Sequence, residues 1–379
     1  MAYTKMYEQQ IIDMIWGATL LGGGGGGSMQ NGLDLLAKYK EAHPGPVTVI
    51  ICEAEDMNEG EYAAVTAGMG APSAIQRTDF SAYATNAFVA LQEMAAKMTP
   101  PKNLKYSLAV EMGGFNTFVP MLISLVNNIP LIDADGAGRA VPALNTLLLH
   151  VNGCDTSPLA MANGDNDKIN IELNDPRNAE LAEEIGRHIC MAFDMMSGLA
   201  GWMLQKEEIK NKIVTNSVTK AKDIGGVFRE CIAKGDVGNV LEALFERKIV
   251  EGKVICKGVV TGFETIQEEG FDRGEVFISD FKDPLTSWQI DFQNENLLLS
   301  KFVGGAKIPY MTVPDIICMY DLKTGAPLTN ADISLNMEVA LGVLAVDDKW
   351  WLNPSMFDVW RPLLARVGYT GENLPYRKL

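Results

Sequence analysis

YSLAVEMGGFNTFVPMLISLVNNIPLIDADGAGR (residues 106–139) runs twice from an apolar segment into a turn of acids and glycines. Residues 106–114 read as a strand entering a glycine turn, residues 116–127 as a helix, and residues 129–139 as a second short strand followed by acids and glycines. A strand, a helix and a strand in succession predict an α/β sheet with parallel neighbours. In such sheets ligands sit beyond the carboxyl ends of the strands, which is where these glycine turns fall.

The reading extends outward in both directions. Ile11, Ile12, Met14, Ile15, Ala18 and Leu20 are spaced for a helix over 7–20. Gly22 to Gly27 break it, and Ser28 is placed to cap a second helix through about Lys40. VTVIIC (47–52) and YAAVTAGMG (62–70) read as strands, and 80–98 as an amphipathic helix closed by Pro100-Pro101. After residue 170 helices dominate, opened by Asp175-Pro176, with further helical spacing at 206–212 and 215–233. From about 251 to 350 strand signals crowd together (VICKGVVTGF, GEVFISDF, SWQIDFQ, DIICMYDL, EVALGVLAV), separated by Asp272-Arg273-Gly274, Asp283-Pro284 and Lys323-Thr324-Gly325. The expected architecture is an α/β N-terminal domain with a mainly parallel sheet, plus a smaller all-β, barrel-like C-terminal domain. The boundaries are 1–245 (contiguous core 1–172, helical extension 173–245), 246–350, and a tail over 351–379 that packs on the body, with a short helix around 355–367.

Composition narrows the function classes. Of 379 residues 47% are apolar, enough for a packed core, so a disordered or low-complexity chain is excluded. Lys and Arg number 32 against 48 Asp and Glu, a formal charge of −16. Nucleic-acid affinity comes mainly from neutralising phosphates, so nucleic acid and anionic membranes are poor partners. The six cysteines show no C-x-x-C pair, no apolar run approaches the ~18 residues of a membrane span, and the start lacks a signal-peptide pattern. A reduced, cytoplasmic protein is expected. With three histidines, at 43, 150 and 188, the chain lacks the imidazoles for a His-rich binuclear metal centre.

Each motif carries a chemical and a structural alternative. The run Gly22–Gly27 either brings backbone N–H groups against a bound ligand or forms a tight turn. It is neither a Walker A loop, for want of a following Lys-Ser/Thr, nor a dinucleotide fingerprint, for want of a preceding strand. Glu111-Met112-Gly113-Gly114-Phe115-Asn116 places a carboxylate at a strand end, and Asn116 either caps the next helix or faces a ligand. Asp133 and Asp135, two apart on a strand, share a face. With Arg139 they serve as a general base, metal ligands and a substrate clamp, or as a buried ion pair. His150 in TLLLHVNG is a core histidine or, with Asp133 or Asp135, the one economical set for a divalent metal. Met69 and Gly70, in the turn Gly68–Pro72, either line the same cleft or simply pack. Asp291–Asn296 and Val313-Pro314-Asp315 either face an interdomain cleft or serve as turns. Met191, Met195 and Met196 are assigned to one helix and to the core, or else to an adaptable interface.

Read in order, LLGGGGGG (20–27), MGAP (69–72), EMGGFN (111–116), DADGAGRAVP (133–142), DFQNENL (291–297) and VPDII (313–317) resemble the S-methyl-thiohydantoin desulfurase family, whose members often carry hydantoinase- or oxoprolinase-related labels. The resemblance spans nearly the whole chain. It implies an α/β domain with a β-barrel-like domain and hydrolysis at a hydantoin-like five-membered cyclic amide or an S-alkyl thiohydantoin. On that expectation Asp133 or Asp135 is the base or metal ligand, Glu111 a second acid or base, and Arg139 the clamp. Backbone N–H groups of Gly24, Gly25, Gly26, Gly27, Gly113 and Gly114 hold the developing anion, and Asn116 orients the ring. The alternative is a non-catalytic, small-molecule-binding subunit beside a hydantoinase-like partner. Self-association into a homo-oligomer is a further expectation that no residue pattern supplies.

Overall fold

The computed structural model describes residues 3–70, 80–268 and 271–378. Ala71 and Pro72 of the MGAP motif lie outside the described residues. Two sheets carry the fold. The first is built from β1 (Thr4–Tyr7), β2 (Thr48–Cys52), β3 (Glu61–Gly70), β4 (Asn103–Ala109), β5 (Leu131–Asp135), β6 (Leu159–Ala162), β7 (Lys168–Ile171), β8 (Met196–Leu204) and β9 (Val214–Thr215). Its order is β1-β2-β5-β4-β3-β8-β6-β7, with β9 joined to the end of β5.

The central strands β2, β5, β4 and β3 are parallel neighbours, so the expectation of a parallel sheet holds at its centre. The flanking strands β1, β8, β6, β7 and β9 join antiparallel, and the sheet as a whole is mixed. Because β3, β4 and β5 run the same way, Gly70, Ala109 and Asp135 end at one edge. β8 went unread because Met196–Leu204 is buried at every position and shows no alternation.

Glycine lets helices cross closely behind this sheet. A Cβ on Gly17 of the helix Glu8–Leu21 would strike the Ala221 backbone of the helix Ser217–Ala233, and one on Gly225 would strike that of Asp13. Asp13 then pairs with Arg229, accepting 2.9 Å hydrogen bonds from Nε and Nη2. Met191 and Met195 lie at the surface, 60% and 50% exposed, and only Met196 is buried. The helix expected to hold all three ends at Ala192, so the core assignment of Met191 and Met195 is corrected.

The second sheet contains β10 (Gly252–Glu268), β11 (Phe271–Asp280), β12 (Thr286–Gln293), β13 (Glu295–Val303), β14 (Ala306–Thr312), β15 (Ile316–Asp321), β16 (Pro327–Leu328) and β17 (Glu338–Leu344). All its pairs are antiparallel, in the open order β14-β13-β12-β11-β10-β17-β15-β16 among the described residues. That pairing does not close a barrel. Asp272-Arg273-Gly274, expected as a turn, lie inside β11. β13 and β14 were unread because their polar and apolar residues do not alternate cleanly and Pro309 interrupts β14.

One apolar core runs from the first sheet into the second, taking in Leu297, Val313, Ile316 and Tyr320. Trp350, at the end of the range 246–350, and Trp360 of the tail are fully buried in it, their ring centres 5.8 Å apart. Trp350 Nε1 donates to the carbonyl of Ala137 (2.8 Å), fixing the start of the tail to the loop that follows β5. All six cysteines are free and buried, and burial pushes the Cys154 thiol up to about 12, which leaves it inert at neutral pH. No helix among the described residues is long and apolar enough to cross a membrane.

Candidate functional site

Glu111 lies two residues past β4, at the edge where the parallel strands end. Its Oε2 accepts from the Val141 N–H (2.8 Å) and its Oε1 from Asn116 Nδ2 (2.7 Å). The other end of the Asn116 amide, Oδ1, accepts from the Gly68 N–H on β3 (3.1 Å). Asn116 therefore does not cap the following helix, whose N-cap residue is Phe118. It ties the ends of β3 and β4 together and fixes the Glu111 carboxyl. Burial pushes that carboxyl up to about 7, against the pull of the Val141 and Asn116 donors, while the charge of Asp135 adds to the rise and that of Arg139 opposes it. A carboxyl poised there exchanges protons near neutral pH.

The oligoglycine turn closes over Glu111 because nothing larger fits. The Gly26 carbonyl accepts from the N–H groups of Phe115 (3.2 Å) and Asn116 (3.3 Å), and the Gly27 carbonyl from that of Gly114 (3.1 Å). A Cβ on Gly26 would lie 2.8 Å from Gly113 Cα and 2.8 Å from the Met112 carbonyl oxygen. Gly23, Gly24, Gly26 and Gly27 all adopt positive φ. Gly22–Gly25 are buried, whereas Gly26, Gly27, Asn116, Gly68 and Met69 are half-buried and Gly70 is exposed. These last residues form a partly exposed rim, and Glu111, itself 7% exposed, is bonded to one of them, Asn116.

Not every nominated residue faces this point. Asp133 Oδ1 accepts from the N–H groups of Val218 (2.9 Å) and Thr219 (3.0 Å), and Oδ2 accepts from the Thr219 hydroxyl. Its carboxylate caps the helix Ser217–Ala233 from a neighbouring strand, and the expected base or ligand at this position is corrected. Asp135 is fully buried, accepts from Ala137 N–H (3.0 Å) and Gly138 N–H (2.6 Å), and has the Ser217 hydroxyl beside it. Burial pushes it up to about 7, the backbone donors opposing.

Arg139 is also fully buried. Its Nε donates to the Ala140 carbonyl (2.8 Å), Nη1 to those of Pro314 (2.6 Å) and Asp315 (3.0 Å), and Nη2 to that of Asn296 (3.3 Å). Trp360 lies 5.3 Å from the guanidinium. The expected substrate clamp is instead a fastener between the two sheets, and Val313-Pro314-Asp315 serve it through their backbone.

The expected metal set does not assemble. Asp133 is spent on the helix cap, and the His150 ring is placed by the Arg177 backbone near Asp175 and Glu180, burial holding it below its usual range. Among the described residues no group of three or more His, Cys, Asp or Glu is arranged to hold an ion.

Of the two alternatives for Asp291–Asn296, Glu295 takes the first and reaches the site from β13. A Cβ on Gly25 would collide with its Oε1, and the Gly26 N–H bonds to its carboxyl. Asn296 and Asn330 stand beside it against Gly24. Only the crowding of polar residues in QNEN (293–296) hinted at this.

Comparison with known proteins follows from this geometry. None of the curated proteins searched matches the chain. A crystal structure of a protein from Chromobacterium violaceum superposes with a TM-score of 0.83 at 22% identity, covering 98% of this chain and 99% of that one, which shows a shared fold. The model for the S-Me-THD-like N-terminal domain matches residues 9–172, and that for the S-Me-THD-like C-terminal domain matches residues 177–367. The junction between the two models precedes β8, a strand that completes the first sheet. With both halves matched in order across the site, the chain belongs to the S-methyl-thiohydantoin desulfurase family.

Proposed function

We propose that the chain hydrolyses an S-alkyl thiohydantoin or a related five-membered cyclic amide, with Glu111 as the group that moves the proton. The observation that carries this reading is a buried carboxyl, raised to about 7 and held by Asn116 and the Val141 N–H beside the glycine turns. The ring carbon between two nitrogens is electrophilic but resonance-stabilised, so water needs a base to attack it. Glu111, ionised, takes one proton from water as the oxygen bonds to the carbon bearing the alkylthio group. That proton then passes to sulfur as the C–S bond breaks, releasing the thiol, while the proton left on the new oxygen moves to the ring nitrogen that received the C=N electron pair, leaving the ring carbonyl. The sum is S-methyl thiohydantoin plus water giving hydantoin plus methanethiol. The N–H groups of Gly25, Gly26, Gly113 and Gly114 are already given to Gly22, Glu295, Thr117 and Gly27, which leaves those of Gly24 and Gly27 as the nominated donors for the developing anion. Asp135 is the second carboxyl able to titrate in the same range, but it is fully buried and held by its own loop.

The test is direct. The isolated chain is incubated with S-methyl thiohydantoin while methanethiol and hydantoin are measured by mass spectrometry. Turnover abolished by Glu111→Gln supports the reading. Ligand binding without turnover would replace it with the small-molecule-binding subunit.

A further inference from the structure

The interface between the two sheets contains acceptors without donors. Asn296 and Asn330 are oriented by their amide nitrogens: Asn296 Nδ2 donates to the Ile317 carbonyl (2.9 Å) and Asn330 Nδ2 to that of Asn294 (2.8 Å). Their Oδ1 atoms, together with Glu295 Oε2, are buried and have no hydrogen-bond partner. All three residues pack on the Gly24–Gly25 backbone and are at most 5% exposed. A carboxylate at Glu295 would add a buried charge with an unpartnered oxygen to two buried amide oxygens that also lack donors, at the desolvation cost of each. One proton on Glu295 removes that charge and turns an acceptor into a donor.

We propose that Glu295 is a neutral carboxylic acid in the folded protein, a positioning residue contributed by the second sheet that holds Gly26 and leaves the charge of Arg139 to Glu111. This rests on the reading of Glu111 as the reacting group. The charged side chains facing Glu295 are Glu111 and Arg139. Asp315 faces the guanidinium as well, and Arg273 farther along is held by Gln293 and Glu268. Burial, and after it the charge of Glu111, hold the Glu295 carboxyl well above its ordinary range, with Arg139 pulling the other way. Between two carboxyls whose surroundings push them apart, the one nearer the rim ionises first.

The experiment needs no substrate. Protein labelled with ¹³C at the glutamate carboxyls is titrated by NMR. At pH 9 one protonated glutamate carboxyl is expected, lost in Glu295→Gln and retained in Glu111→Gln. Wild-type protein with every glutamate ionised at pH 9 overturns the proposal without any variant, as does a protonated signal that survives Glu295→Gln. The second arm uses turnover of S-methyl thiohydantoin by Glu295→Ala. The rate falls at least tenfold because the Gly26 N–H loses its acceptor, while the acid limb of the pH profile stays within half a unit of wild type. A limb displaced further shows that Glu295 carried charge and overturns the proposal. Absence of turnover in wild type defeats the thiohydantoin reading and leaves the NMR result to decide Glu295.

Discussion

Asn116 holds Glu111 with its amide nitrogen (2.7 Å) and the end of β3 with its amide oxygen (3.1 Å to Gly68 N), so one side chain both aims and tunes the carboxyl. Removing the nitrogen removes a donor that favours the ionised form. Asn116→Ala is expected to raise the Glu111 titration by about one unit, since a hydrogen bond to a charged group contributes about 1.5–3 kcal/mol and one unit is about 1.4. Turnover at pH 7 falls about fivefold through the smaller ionised fraction, and the acid limb of the pH–rate profile moves upward. An unmoved limb would separate Asn116 from Glu111.

Asp133 predicts the opposite pattern. Its carboxylate accepts from two backbone N–H groups and a hydroxyl at the start of the helix Ser217–Ala233. Asp133→Ala should cost about 1–2 kcal/mol in urea unfolding, the usual loss for a helix cap. The rate per folded molecule should stay within about threefold of wild type. A hundredfold loss with unchanged stability would return Asp133 to the chemistry.

Gly25 tests how closely the second sheet presses on the turn. A methyl group there meets Glu295 Oε1, Cδ and Cγ, all part of a buried side chain fixed between Gly26 and Arg139. Gly25→Ala is expected to cost about 1–3 kcal/mol, the range for overpacking a filled interior. Gly238, with nothing within 4 Å of its added methyl and no positive φ, is the control and should change stability by less than about 0.5 kcal/mol.

Arg139 contributes to stability through what it satisfies. Arg139→Met leaves the carbonyls of Pro314, Asp315 and Asn296 without their donor and Glu111 and Asp315 without their counter-charge. Breaking a buried ionic contact from one side costs about 3–5 kcal/mol. The expected result is a lower urea midpoint, with near-ultraviolet dichroism from Trp350 and Trp360 reporting loss of order at the interface.

Local signals in the sequence reached the elements but not the partners across the fold. The helices at Glu8–Leu21 and Phe80–Lys97 and strands β2 to β5 follow from periodicity and glycine punctuation, which are short-range features. The proximity of Glu111 and Asp135 follows from their place at the ends of the adjacent parallel strands β4 and β5, whereas the oligoglycine turn joins two helices and is brought to Glu111 only by its packing on residues 112–116. Which carboxylate was free was not legible. Asp133 and Asp135 look alike on their strand, and only the helix 85 residues later shows that Asp133 is already engaged. The same holds for Arg139, whose acceptors lie 157 to 176 residues away, and for Glu295, which looks like any turn acid until Gly25 is placed against it.

The raised Glu111 carboxyl also ties stability to pH, with a sign opposite to that of an ordinary salt-bridged acid. Its group titrates near 4.5 when unfolded and near 7 when folded, so between those values the folded state binds more protons. The Glu111 contribution to stability therefore declines as pH rises from about 4.5 to about 7 and levels off above, amounting to up to about 3 kcal/mol. Asp135, lifted from 3.8 to about 7, acts in the same direction. Glu295, Asp315 and Asp291, also raised, act likewise, and in Glu111→Gln only the Glu111 contribution is removed. The new amide places N–H₂ against either the Val141 N–H or the Asn116 amide, which adds a cost that does not vary with pH. The informative quantity is thus the slope and not the absolute stability. Urea unfolding at pH 5 and pH 8 should show wild type losing more than Glu111→Gln across that interval, by up to about 3 kcal/mol. Parallel losses in the two proteins would mean that Glu111 titrates alike folded and unfolded, and the case for it as a proton carrier at neutral pH would go with that result.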